Sequence, residues 1–218
     1  MSEPLTDETF RTHALELAEH DPALGRVVAE HGLPEFWHRP PGFATLVLFV
    51  VEQQVSLASA KAVFDRMHAA LGGITPDTLL SVDPELLRAT GLTRQKQRYV
   101  LLLAAAVDDG SLDLPTLGLM TDDEVRRRLL ALTGIGPWTA DVYLLSCLRR
   151  ADMWPVGDRA LQVGVGEVLE LDETPTPLVL EALGERWRPL RAVAARLVWH
   201  DYLCRRGRAE TVVAGLDP

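Results

Sequence analysis

The segment Leu132-Thr133-Gly134-Ile135-Gly136-Pro137-Trp138-Thr139-Ala140 joins two glycines to a proline that can open a helix. Glycine tolerates positive φ and lets a ligand come close without meeting a Cβ. Proline suits the first helical position, where a missing N–H costs nothing. The helix that follows presents free N–H groups and the positive end of its dipole, which together suit a phosphate. Contacts of that kind hold a duplex in place without reading its sequence. On spacing alone, a plain turn between two helices stays open as the alternative. Further along, Trp154-Pro155-Val156-Gly157-Asp158-Arg159-Ala160-Leu161-Gln162 carries an acid at a helix start. Position alone makes Asp158 an N-cap, and a capping carboxylate is also one held in place. Lysine, by contrast, is scarce: of 22 basic residues only Lys61 and Lys96 are lysines. Arginine binds phosphate bidentately but does not readily form a Schiff base, so a lysine nucleophile has two candidates in the chain.

The elements that must position these residues read as helices almost throughout. Thr6–His20 is stopped by Asp21-Pro22, and a second short helix ends near His31-Gly32. Residues 35–42 carry Pro40 and Pro41 and read as a linker. Phe43–Gln54 is strongly apolar, and its length favours helix. Ser56 caps Leu57–Leu71, which Gly72-Gly73 ends. Thr75-Pro76 and Asp83-Pro84 each set a capping side chain before a helix-opening proline, and Gly91 closes the second of these helices. Thr93–Asp108 is a long helix with a basic first half. Thr121 and Glu124 form a capping box before Val125–Leu132. The remaining helices run from Pro137 to about Leu148, from Asp158 to about Leu169, over Leu178–Gly184 and over Pro189–Leu203. No segment shows strand periodicity, so the fold class is all-α.

A chain of 218 residues that is 47% apolar supports one or two domains with a real core. Its net charge of −9 argues against coating nucleic acid by bulk charge. The charge is unevenly spread, however, which leaves room for a local basic surface. Residues 1–35 hold eight acids and two arginines, a net of −6, whereas residues 88–98 hold four bases and no acid. Any binding to a nucleic-acid duplex should therefore be modest and strongly salt-sensitive. Arg126, Arg127 and Arg128 follow three acids and read as helix-face ion pairs. Cys147 and Cys204 are too few for a four-cysteine zinc site or iron–sulfur cluster. The six histidines form no metal-ligand pattern. The acidic amino end has no targeting signal, and no apolar stretch is long enough for a bilayer. A soluble cytoplasmic protein, associated with the nucleoid and without membrane contact, is expected.

Three segments, taken together, carry a resemblance. They are Glu52-Gln53-Gln54-Val55-Ser56 at the end of an apolar helix, the Leu132–Ala140 hairpin, and Trp154–Gln162. In this order and at these separations the chain resembles the helix–hairpin–helix superfamily of base-excision DNA glycosylases, from about Phe43 to about Tyr202. Within it, the similarity is greatest to the 3-methyladenine DNA glycosylase II type. The resemblance implies a two-lobed helical body without an amino-terminal β-domain, since only 42 residues precede Phe43. Residues 1–42 with 155–218 would form a terminal lobe and 43–154 a central lobe holding the helix–hairpin–helix at 121–148, with Asp158 and the hairpin at the cleft.

The implied function is monofunctional hydrolysis of the N-glycosidic bond of alkylated purines in duplex DNA, with base flipping, in base excision repair. The lead substrate is 3-methyladenine, with 7-methylguanine second. Asp158 becomes the catalytic carboxylate, stabilising oxocarbenium character on the sugar. An N-alkylated purine already carries positive charge and leaves without a second acid. Trp138 stands where lyase relatives carry the attacking lysine, which favours simple hydrolysis. Trp138 and Trp199 match aromatic positions that line the base pocket, where a cationic base gains about 0.5–2 kcal/mol over an indole. Trp37, Phe43 and Tyr143 are weaker pocket candidates with core packing as the alternative. Where the family this chain resembles carries a Tyr one turn after the hairpin Trp, this chain has Val142, with Tyr143 one place later, which leaves the pocket's shape open. Gln53 and Gln54 match the wedge that fills the gap left by a flipped nucleotide, with Gln54 at the intercalating position. DNA contacts are also expected from Ser56, Thr133, Gly134, Ile135, Gly136, Thr139 and Arg159.

No cofactor and no metal is implied beyond a monovalent cation held by hairpin carbonyls, on family analogy. The partner is duplex DNA containing alkylated bases, and a monomer is expected. Two rivals remain: a non-catalytic helix–hairpin–helix protein that binds damaged DNA, and a glycosylase/lyase of the endonuclease III kind.

Overall fold

The computed structural model describes residues 3–208, and residues 209–218 of the expected terminal lobe lie outside it. The described residues form helices and turns, with no strand among them. In chain order the α-helices are α1 (Asp7–His20), α2 (Pro22–His31), α3 (Phe43–Glu52), α4 (Leu57–Leu71), α5 (Pro76–Leu80) and α6 (Pro84–Ala89). They continue as α7 (Arg94–Asp108), α8 (Asp122–Leu130), α9 (Pro137–Ser146), α10 (Arg159–Val168), α11 (Pro177–Gly184) and α12 (Arg191–Arg205). Short 3₁₀ turns at Pro115–Leu119 and Glu185–Trp187 were not legible in the pattern.

The boundaries follow local chemistry. Thr6, Asp21, Ser56, Thr75, Asp83, Thr93, Thr121, Asp158 and Thr176 each accept a backbone N–H from the helix they open. One expectation is corrected here. α8 begins at Asp122 rather than Val125, because the three residues after a capping-box threonine are themselves helical. Likewise α12 begins at Arg191, not Pro189.

The helices gather into two compact units. The terminal unit comprises residues 3–38 with 144–208, and the central unit is Arg39–Tyr143. The divisions therefore fall at 38/39 and 143/144, where the resemblance implies 42/43 and 154/155. The reason for the second is packing: Leu145 and Trp154 lie in one core with Phe10, Leu24, Val165, Leu180 and Trp187. The Trp154 indole N–H donates to the Leu180 carbonyl at 2.8 Å. Gly184 lies so close that a Cβ there would stand 2.4 Å from that indole nitrogen.

In the terminal unit, α12 packs on α10, α2 and α1. Every residue of α12 from Arg191 to Asp201 is buried, so this helix is the unit's axis. Its approach to α10 depends on Gly164, where a Cβ would sit 2.7 Å from a Val198 methyl carbon. That close approach sets the start of α10 beside Trp199. In the central unit, α3 packs against α4 and α7. Only Ala44 of its ten residues escapes burial, as expected for a helix apolar on all sides. Its one acid, Glu52, is held by Arg39 through two hydrogen bonds of 3.0 and 2.9 Å, and the same guanidinium lies 4.8 Å from the Phe49 ring centre.

Candidate functional site

The terminal unit holds the carboxylate. Asp158 precedes α10 in extended conformation, and its Oδ1 accepts the Leu161 N–H at 2.8 Å. The same oxygen accepts the Trp199 indole N–H at 3.1 Å. Asp158 is half-buried, and these two bonds hold its carboxylate in place. The loop before it is fixed too. Gln162 donates its side-chain amide to the Val156 carbonyl at 2.8 Å, and the Asp158 N–H donates to Pro155 at 2.9 Å.

Trp199 stacks on Trp37, with ring centres 5.8 Å apart and planes 25° from parallel. The Arg196 guanidinium lies 3.9 Å from the Trp37 ring centre, and its Nε donates to the Glu35 carbonyl at 2.7 Å. Asp158, Trp199 and Trp37 therefore form one contiguous group. Arg196 belongs with them, and sequence reasoning missed it. The available signal was its place three residues before Trp199 on one helix, which puts both on one face.

The central unit holds the hairpin. α8 and α9 are joined by residues 131–136, and Arg126 of α8 pairs with Asp141 of α9. For Arg126 this corrects the expectation of a bridge to the preceding acids on its own helix. Asp141 is buried, so it draws the cation across the hairpin. Gly134 has φ +98°, and a Cβ there would lie 2.3 Å from Cγ of Tyr99. Gly136 has neither constraint: no atom lies within 4 Å of where its Cβ would be. It leaves open space in front of the first turn of α9. Thr133 is exposed and Ile135 is buried.

Gln53 and Thr139, both expected among the DNA contacts, are bonded to each other. Gln53 donates its side-chain amide to the Thr139 hydroxyl at 3.1 Å and to the Gly134 carbonyl at 2.9 Å. Thr139 is 1% exposed, and its hydroxyl accepts this bond. One hairpin carbonyl of the kind a cation would draw on thus already serves the Gln53 amide. Gln54 is different: it is exposed and adopts φ +59°, a left-handed conformation uncommon outside glycine. Ser56 accepts the Ser59 N–H at 3.2 Å and caps α4. Arg159 is exposed and reaches Gln162 at 3.3 Å.

The remaining candidates separate by burial. Trp138 is half-buried and meets Phe49 edge-on, with ring centres 6.4 Å apart. Tyr143 is fully buried and Phe43 is 8% exposed, so both are core side chains in this structure. Lys96 is another residue whose role the sequence hid. Within a run of exposed basic residues, its ammonium turns inward to the carbonyls of Val51 and Gln53 at 2.7 and 2.8 Å. Burial lowers its pKa from the ordinary lysine value. Lys61 pairs with Asp65 on its own helix. Among the described residues no cluster of His, Cys, Asp and Glu could hold a metal ion, and no helix is long and apolar enough to cross a membrane.

Comparison with known proteins places this geometry. The chain is similar to YfjP of Bacillus subtilis, at 28% identity over 160 residues. That match covers 70% of this chain and 56% of the relative, so the chain spans little more than half of that protein. It is 26% identical over 193 residues to DNA-3-methyladenine glycosylase 1 of Schizosaccharomyces pombe, covering 86% of this chain and 84% of that one. The solved structure of the Schizosaccharomyces pombe 3-methyladenine DNA glycosylase Mag1 in complex with abasic DNA superposes with a TM-score of 0.79 at 25% identity. That superposition covers 86% of this chain and 95% of that one. Residues 47–189, about two thirds of the sequence, match one family model, and the chain belongs to the HhH-GPD superfamily of base excision DNA repair proteins.

Proposed function

We propose that this chain is a monofunctional DNA glycosylase that releases alkylated purines, 3-methyladenine foremost, from duplex DNA. The observation that carries the reading is the Asp158 carboxylate, held on one oxygen between the Leu161 N–H and the Trp199 indole N–H. A carboxylate so fixed can face the sugar carbon as the C1′–N bond breaks. The bonding pair leaves with the base, whose positive charge is thereby neutralised. Positive charge builds on the sugar, and the carboxylate stabilises it. Water then adds to C1′ and loses a proton, leaving an abasic site.

The other residues fit supporting roles. Half-buried Trp37, backed by the buried Trp199, offers aromatic surface next to the carboxylate, and half-buried Trp138 offers more in the central unit. Gln54, exposed in a left-handed turn, suits a wedge that replaces a flipped nucleotide. The hairpin, with Gly136 unobstructed, suits the phosphate backbone. Simple hydrolysis is favoured over lyase chemistry because Lys96 is tied to two carbonyls and Lys61 to Asp65. Abasic DNA, present in the Mag1 complex, is what remains once a base is removed.

The direct test is chromatography of free bases released from methylated duplex DNA. Release of 3-methyladenine with the strand left uncut supports the proposal. No release, or a covalent adduct trapped by borohydride, refutes it. A sharper expectation concerns Trp199→Phe, which keeps an aromatic ring against Trp37 but removes the indole N–H. Losing one hydrogen bond to a charged group is worth about 1.5–3 kcal/mol, so single-turnover release should slow roughly tenfold or more. An unchanged rate would mean that the Trp199 contact does not position Asp158.

A further inference from the structure

The exposed turn at Gln53–Gln54 poses a structural question. A non-glycine residue at φ +59° persists only where its surroundings enforce that shape. The turn closes the C-terminus of α3, whose last carbonyls have no partner within the helix. Two struts meet there. From α7, Lys96 donates to the Val51 and Gln53 carbonyls at 2.7 and 2.8 Å. From the hairpin side, the Gln53 amide is anchored on the Gly134 carbonyl and the Thr139 hydroxyl. Lys96 thus grips the main chain immediately before Gln54, while the side chain of Gln53 is tied to the hairpin. An ammonium suits the place doubly, because it satisfies carbonyls and sits at the negative end of the α3 dipole. Its neighbours Arg94 and Arg98 remain exposed, so the basic run divides into one inward strut and an outward charged face.

We propose that Lys96 is a positioning residue for lesion extrusion, holding the Gln53–Gln54 turn preformed so that Gln54 is presented to the duplex without a further ordering step. The proposal rests on the glycosylase reading for its consequence, though not for its geometry. Prior ordering matters because a segment that must order on binding gives up part of its contact energy in doing so. Without the strut, Gln54 should sample other backbone shapes, and the penalty should fall on extrusion rather than on bond cleavage.

The test compares wild type with Lys96→Met and the milder Lys96→Gln. Two single-turnover substrates are used: 3-methyladenine paired in duplex, and 3-methyladenine opposite an abasic site, where extrusion is easier. Backbone hydrogen exchange is measured in parallel. Both variants should release base from the paired substrate at least tenfold more slowly, yet stay within about threefold of wild type on the unpaired one. Amide exchange at residues 53–56 should speed up while protection in α4 and α8 is kept. Equal slowing on both substrates overturns the proposal, because it marks a general structural loss. Unchanged exchange at 53–56 overturns it whatever the activity. If wild type releases no base while the exchange difference appears, the glycosylase reading fails and the strut geometry stands.

Discussion

Asp158→Asn is expected to leave the protein folded and DNA-bound but unable to release a methylated base. The substitution separates the cap that Asp158 provides from the catalytic role proposed for it. As an N-cap, asparagine is about as good as aspartate. Its amide oxygen can still accept both the Leu161 N–H and the Trp199 indole N–H, so the local geometry should survive. What is lost is the negative charge proposed to face the sugar. Removing a preorganised electrostatic group of this kind costs about 10²–10³-fold in rate, and single-turnover base release should fall by at least that much. Thermal melting and binding to abasic-site duplex should change little. Near wild-type release would sink the catalytic assignment. A collapse in stability would mean that the charge matters to the fold, and the catalytic interpretation would lose its control.

Gly134→Ala should cost the most stability of any single methyl added to the hairpin. Two independent penalties coincide there. A φ of +98° lies outside the range that side-chain-bearing residues adopt comfortably, and a Cβ would stand 2.3 Å from Tyr99 Cγ. Backbone strain of about 1–3 kcal/mol and overpacking of about 1–3 kcal/mol together give a loss of roughly 2–6 kcal/mol. Urea unfolding measures it. The double variant Gly134→Ala/Tyr99→Gly removes both the Cγ and the Cβ of the clash and not the strain, so a cycle with Tyr99→Gly alone separates the two terms. Gly136→Ala is the contrast, because it has ordinary φ and open space. Its stability should stay within about 0.5 kcal/mol of wild type, as for surface changes in general. If the hairpin meets a phosphate backbone at Gly136, that same variant should bind duplex DNA more weakly. A stable Gly136→Ala protein with unchanged affinity would remove the hairpin's open face from the DNA contact. An undiminished melting point for Gly134→Ala would contradict the packing against Tyr99.

The caps and turns were legible in the sequence because their chemistry is local. Thr121 and Glu124 lie three residues apart, and Asp158 caps a nitrogen three residues on, so the sequence neighbourhood contains both partners. The same holds for the all-α class and for the hairpin itself. The burial of Tyr143 and Phe43 was less legible, because an apolar pattern marks core and pocket alike.

The partners of Gln53, Lys96 and Trp199 were not legible at all. Gln53 meets Gly134 across 81 residues of sequence, Lys96 meets the Gln53 carbonyl across 43, and Trp199 meets Asp158 across 41. A glutamine on an exposed turn and a lysine in a basic run carry the same local signal whether they face solvent or fold inward. By itself, then, the sequence determined the helices, the conformational demand at Gly134 and the capped carboxylate, since each is settled within a turn of chain. Only the tertiary structure decided that Lys96 braces the Gln53–Gln54 turn and that Trp37, Trp199 and Arg196 gather beside Asp158. Those outcomes depend on which helices pack together, and a buried polar group takes whichever partner that packing brings within reach.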